Sequence, residues 1–256
     1  MPGKRHPDSN DITNSTPATH KMSTPAADTF VIINADDLGH SAGINQGIEQ
    51  CHRCGVLTSA SLMVNRAATP LGVEVARRNP RLSVGLHVNV TDEDPDAVDL
   101  DDVCWVAAQL QAQYAAFQDL LGRKPSHLDS HHHIHWNSPL TATFQRFAAE
   151  HGLQLRHYGQ CRYEGGFYGQ WEHGITDLTH VQAPYLCELI RSLTPGWHEF
   201  ACHPGHVTDD LGSIYNIERE EEVRTLVSSD VSDCIRQAGV RLCNFHHLES
   251  MRRQAQ

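Results

Sequence analysis

The stretch VIINADDLGH, Val31 to His40, runs from nearly continuous apolar sequence into two adjacent carboxylates, a glycine and a histidine. Phe30 to Asp36 has the β-branched pattern of a strand covered on both faces, which belongs to parallel β/α folds. Neighbouring negative charges repel, so Asp36 and Asp37 at a strand end ask for a positive partner. A divalent cation completed by histidines from later segments would supply one. The plainer reading of an Asp pair ahead of a Gly is a turn or a helix cap.

Working outward, SAGINQGIEQCHRCGV places Ile44 and Ile48 on one helical face and stops at Gly55. Strands are expected at Ser59–Asn65, Leu82–Val90, PSHLDS, LQLRHYG, WHEFACHPG and, last, VRLCNFHHL. Helices are expected at TPLGVEVARRNP, Val103–Gly122, PLTATFQRFAAEHG and APYLCELIRSL, with one or two more over REEEVRTLVSSDVSDCIRQAG. Strands alternating with helices predict an α/β fold, a distorted (β/α) TIM-like barrel in a single domain. That domain is read as residues 29–249, between a disordered N-terminal tail over 1–28 and a C-terminal tail over 250–256.

The chain has 256 residues, Lys+Arg 20 against Asp+Glu 31, and a formal net charge of -11, a balance that argues against nucleic acid as a partner. It has no apolar run of the ~20 residues a membrane helix needs, and no apolar core of a secretory signal near its start. Eight scattered cysteines read as reduced thiols of a soluble, cytoplasmic protein. CHRC, Cys51–Cys54, lacks a second pair and reads as helix packing rather than a metal site.

In a (β/α) barrel the active site lies at the C-terminal strand ends. Four such ends carry polar groups suited to a metal: Asp36 and Asp37, His87, the HHHIH run His131–His135, and His203. Two imidazoles and a carboxylate, with a second carboxylate free to take a proton from bound water, meet the needs of a hydrolytic metal centre. Each piece alone has a duller reading, as a half-buried histidine, a solvated loop or a turn. Their convergence on one rim favours the metal. Adjacent strand residues point in opposite directions, so sequence leaves open which aspartate faces it. Such a site accepts Mg, Zn, Mn or Co.

NADDLG, VGLHVNVT, HLDSHHHIH, FACHPG and SIYNIEREEEVRTL, in that order, resemble the YdjC-like carbohydrate deacetylases, which include chitooligosaccharide deacetylases and a deacetylase of hopanoid biosynthesis. The resemblance spans about Phe30 to Leu248. It implies metal-dependent removal of an N-acetyl group from an amino sugar, with Asp37, His87 and His131 as metal ligands, His132 and His133 in reserve, Asp36 as general base and His203 as proton donor. It also implies a Mg or Zn cofactor and a homodimer.

Arg156, with Tyr168 and Trp171 of the loop RYEGGFYGQWEHG, is expected to bind substrate, although the two aromatics can equally seal a hydrophobic edge. The short acidic loop DEDPDAVDLDD reads as a solvated segment or as a rim suited to an amine-bearing sugar. The competing functions are hydrolysis of another amide or of a phosphoester, and a catalytically silent sugar-binding relative. Phosphoester chemistry would favour two metals and basic clamps, and few Lys or Arg flank these motifs.

Overall fold

The computed structural model describes residues 28–254 except Pro95, Ala97, His173 and Asp210, so nearly all of the segment read as an N-terminal tail lies outside the described residues. Eight parallel strands form one curled, open sheet, a half-barrel consistent with the expected distorted TIM-like barrel. They are β1 (Thr29–Leu38), β2 (Ser59–Leu62), β3 (Ser83–Val88), β4 (His127–Ser130), β5 (Gln154–Leu155), β6 (Arg162–Glu164), β7 (Gly196–Cys202) and β8 (Arg241–Leu242). The order is β5-β4-β3-β2-β1-β7-β6, with β8 beside the start of β1.

Crossovers α1 (Ala42–Cys54), α2 (Thr69–Arg78), α3 (Val103–Leu121), α4 (Ser138–His151) and α5 (Ala183–Arg191) cover the sheet, followed by α6 (Ile217–Leu226), α7 (Ser229–Gln237) and α8 (Phe245–Gln254). Strand β1 shows why the sheet is buried on both sides. Val31, Ile33 and Ala35 join the large core with Ile44 and Ile48 of α1, whereas Ile32 packs in a second cluster with Cys161, Phe245 and Leu248. Asn34 and Asp36 continue the Ile32 face by strand alternation, and Asn34 Nδ2 donates to Asp36 Oδ1 at 2.9 Å.

Three elements differ from expectation, the first being LQLRHYG, a strand only over Gln154–Leu155 before the chain turns at Arg156. VRLCNFHHL is a strand only over Arg241–Leu242 and then becomes α8. Asn244 caps that turn by accepting from His247 N at 3.1 Å, while Phe245 and Leu248, three apart on one helical face, bury against Ile32. Helix α8 runs to Gln254, through most of the segment read as a C-terminal tail. Arg162–Glu164, read as loop, pairs with His198–Phe200 as strand β6. No helix among the described residues is long and apolar enough to cross a membrane.

Candidate metal centre

The two aspartates end β1 where its register against β2 slips between Ala35 and Leu38. Asp37 has φ 67°, the left-handed region that a non-glycine residue seldom adopts. The turn closes with His40 N donating to Asp37 O at 3.0 Å. Gly39, at φ 91°, lies so close to β2 that a Cβ there would stand 2.7 Å from the Met63 carbonyl. This twist brings two consecutive carboxylates, which a regular strand would send to opposite faces, toward one centre.

Asp37 Oδ1 lies 3.4 Å from His87 Nε2 and 3.2 Å from His131 Nδ1. Asp37 Oδ1, His87 Nε2 and His131 Nε2 are buried without hydrogen-bond partners among the described residues. One atom from each of the three side chains falls within 4.8 Å of the others. Metal–ligand bonds of about 2.0–2.2 Å place neighbouring donors roughly 3.0–3.4 Å apart, so the spacing fits a shared cation better than unmade hydrogen bonds. The three side chains read from sequence as ligands thus meet.

Hydrogen bonding fixes how each is presented. His87 donates Nδ1–H to Asp129 Oδ1 at 2.7 Å, which turns Nε2 toward Asp37. Burial opposes charge on this imidazole, but Asp129 and Asp36 raise its pKa to about 10, so a bound cation would displace a proton from Nε2. Asp37 Oδ2 accepts from Arg219 Nη2 at 2.7 Å. His131 opens the 3-10 segment His131–Trp136, in which His132 and His133 both have φ 51°. That conformation turns them away: His132 Nδ1 meets Thr91 Oγ1 at 2.9 Å, and His133 stacks on Trp136 with its Nε2 3.3 Å from Tyr163 Oη.

Asp36 is gripped bidentately by Arg156, 2.7 Å to each carboxylate oxygen. Its Oδ2 lies 3.8 Å from His203 Nε2. Arg156 also reaches Asp129 at 2.8 Å and donates Nε–H to Glu199 at 2.8 Å. A second acidic group, Asp36, His87 and Asp129, is compact enough to hold an ion. Its carboxylates already share the Arg156 guanidinium, however, so a cation there would face a fixed positive charge. Arg156, expected at the substrate, has a fully buried side chain committed to three carboxylates and does not line the cleft.

Electrostatics follow from this packing. Burial opposes ionisation of Asp37, but Arg219 and then His131 and His87 hold it well below the usual carboxylate range. Burial likewise opposes charge on Asp36, and Arg156 and His87 overcome it. Burial pushes His203 down to about 4, so its imidazole is neutral near pH 7. Burial pushes Glu199 up to about 7 despite Arg156.

The centre opens into a cleft of about 860 Å³ lined by Asp36, His87, His131, His203 and a wall of aromatics. Tyr168 lies flat on Tyr215 at 4.9 Å, and both meet the His203 ring edge-on, at 5.5 and 5.6 Å. Trp171, 58% exposed, forms the lip. Glu93, a carboxylate of the acidic loop whose Oε1 is 2.5 Å from His40 Nε2, reaches the cleft.

Asp129, Glu199, Arg219 and Glu222 were not singled out from sequence. For Asp129 a signal existed, a carboxylate inside the histidine motif on a strand adjacent to that of His87. For Glu199, Arg219 and Glu222 no local signal did, because charge on a short strand or a helix reads as solvated.

A parallel half-barrel with such a cluster at its strand tips is a metal-binding amide-hydrolase fold related to carbohydrate deacetylases. The sequence matches the family described as YdjC-like protein over residues 30–237, and the chain belongs to that family. It is 32% identical to a chitooligosaccharide deacetylase of Klebsiella pneumoniae (strain 342), over 84% of this chain and 97% of that protein. Among solved structures, a putative cellobiose-phosphate cleavage protein of Enterococcus faecalis V583 superposes with TM-score 0.72 at 26% identity, covering 87% of this chain and 99% of that one. A family 4 carbohydrate esterase of Streptomyces lividans shares the fold, with TM-score 0.54 at 12% identity over 86% of this chain and 93% of that one.

Proposed function

We propose that the protein hydrolyses the N-acetyl group of an acetylated amino sugar, of the chitooligosaccharide kind, with Asp37, His87 and His131 holding a divalent Mg or Zn ion. The observation that carries this reading is the meeting of Asp37 Oδ1, His87 Nε2 and His131 Nδ1, the first two without hydrogen-bond partners among the described residues, beside an arginine-tethered carboxylate at the floor of an aromatic cleft. The bound ion would polarise the acetamide carbonyl and lower the pKa of water toward about 7.

The protein's own groups do the rest. Asp36, kept ionised and immobile by Arg156, accepts the proton of the attacking water at Oδ2, since Oδ1 also takes the Asn34 amide. His203 Nε2, 3.8 Å from that oxygen, carries a proton to the departing nitrogen, without which an amine leaves poorly. A buried neutral imidazole is suited to this, because it gains its proton during the reaction rather than before it. Tyr168 and Trp171 offer ring faces to the sugar.

A phosphoester reading gains no support. The two arginines at the centre, Arg156 and Arg219, are spent on carboxylates, and the second acidic group is filled by Arg156. The free cysteines support a reducing, cytoplasmic setting.

The deciding experiment measures acetate released from diacetylchitobiose and longer N-acetylglucosamine oligomers, with metal, after chelation and after metal is restored. Release that depends on metal and is lost in Asp36→Asn supports the proposal. Release indifferent to a chelator, or absent on every acetamido sugar tried, overturns it.

A further inference from the structure

Arg219 sits on the first turn of α6, 3% exposed, and its guanidinium joins three elements. Nη2 donates to Asp37 Oδ2 at 2.7 Å, Nη1 to the His203 carbonyl at 3.2 Å, and Nε to the Tyr215 carbonyl at 3.0 Å. The helix holds His203 at its other backbone atom too, because Glu222 Oε2 accepts from His203 N. Glu222 in turn takes the Tyr215 hydroxyl at 2.6 Å, and the Tyr215 ring flanks the imidazole.

Asp37 has two oxygens with different surroundings. Oδ1 is unpartnered and faces His87 and His131, whereas Oδ2 is occupied by a charge-assisted bond. A carboxylate free at both oxygens can bind a cation through both, and the second bond takes a position that a hydrolytic centre needs for water. A guanidinium, with its rigid fork, satisfies Oδ2 and a carbonyl at once; an ammonium is a single point of charge.

We propose that Arg219 is a positioning residue that couples the metal ligand to the proton donor. By occupying Oδ2 it limits Asp37 to one-oxygen ligation and keeps a coordination position open, and by holding the His203 carbonyl it sets the imidazole over the same centre. This rests on Asp37 being a ligand and His203 the donor, as in the function proposed above.

The test loads full-length wild type, Arg219→Gln and Arg219→Lys with Co(II), and follows cation affinity by calorimetry, the visible absorption band, and kcat and KM for acetate release from diacetylchitobiose. Melting curves check the fold. In Arg219→Gln the band should lose intensity as Asp37 adds its second oxygen, and kcat should fall at least about tenfold while KM stays within about threefold. Arg219→Lys restores charge opposite Oδ2, so its band and affinity should approach wild type while kcat remains depressed, because the His203 carbonyl is no longer held. Folded variants with the wild-type band and kcat overturn the coupling alone. If Arg219→Gln does not fold, a wild-type kcat in Arg219→Lys overturns it equally. A wild type that binds no Co(II) and releases no acetate overturns the proposed function, and the coupling with it.

Discussion

His87 and Asp129 face each other as register partners on β3 and β4, and the imidazole donates to the carboxylate at 2.7 Å. The bond commits Nδ1 and fixes the ring, so Nε2 is the atom turned to the centre, without a hydrogen-bond partner among the described residues. Partners of this kind tune ligand basicity and orientation, and their loss typically lowers metal affinity about 10–100-fold. Asp129→Asn is expected to weaken Zn binding by that factor in calorimetry, with the ligands themselves intact. Unchanged affinity would show that the pairing is mere packing.

Arg156 should matter to folding more than to substrate affinity. Replacing it with Met removes the guanidinium that Asp36, Asp129 and Glu199 share in the interior and leaves His87 as the cation beside the two aspartates. Removing one partner from a buried ionic network costs about 3–5 kcal/mol. Urea unfolding followed by circular dichroism should register a loss of that order, and a variant as stable as wild type would contradict the burial.

Glu199 gives stability a pH dependence of defined sign. Its folded pKa, raised by burial to about 7, lies above the ordinary 4.5, so between these values the folded protein keeps a proton that the unfolded chain has released. Stability therefore falls as pH rises from about 4.5 through about 7. Glu222, pushed by burial to about 8, acts in the same direction. Glu199→Gln keeps an oxygen for Arg156 Nε but removes the titration. Its melting temperature should decline less between roughly pH 5 and pH 8 than that of wild type; parallel slopes would rule the carboxylate out.

Trp171 offers a clean probe of the cleft because it is 58% exposed and supports little of the core. Loss of an aromatic contact of about 0.5–1.5 kcal/mol predicts a roughly 2–10-fold rise in KM for Trp171→Ala, with kcat and melting temperature near wild type. An unaffected KM on both dimeric and longer sugars would place the substrate elsewhere.

The sheet was legible because burial on both faces leaves an unbroken apolar run, as in Val31–Ile33, and the rim because polar side chains follow such runs at Asp36, His87, His131 and His203. What stayed hidden depends on long-range pairing. The partnership of His87 with Asp129 needs the register of two strands, and the commitment of Arg156 needs three segments to converge. Phe245 and Leu248 fit a strand or a helix equally in so short a stretch, and only the space beside Ile32 decides between them.

The left-handed step at Asp37 also narrows what this position can accept over time. Of the residues with any affinity for metal, aspartate combines a short charged side chain with some tolerance of that conformation, while glutamate would gain reach and lose the turn. Asparagine fits the backbone and forfeits the charge. The geometry that makes consecutive carboxylates useful thus leaves their second member almost without a substitute.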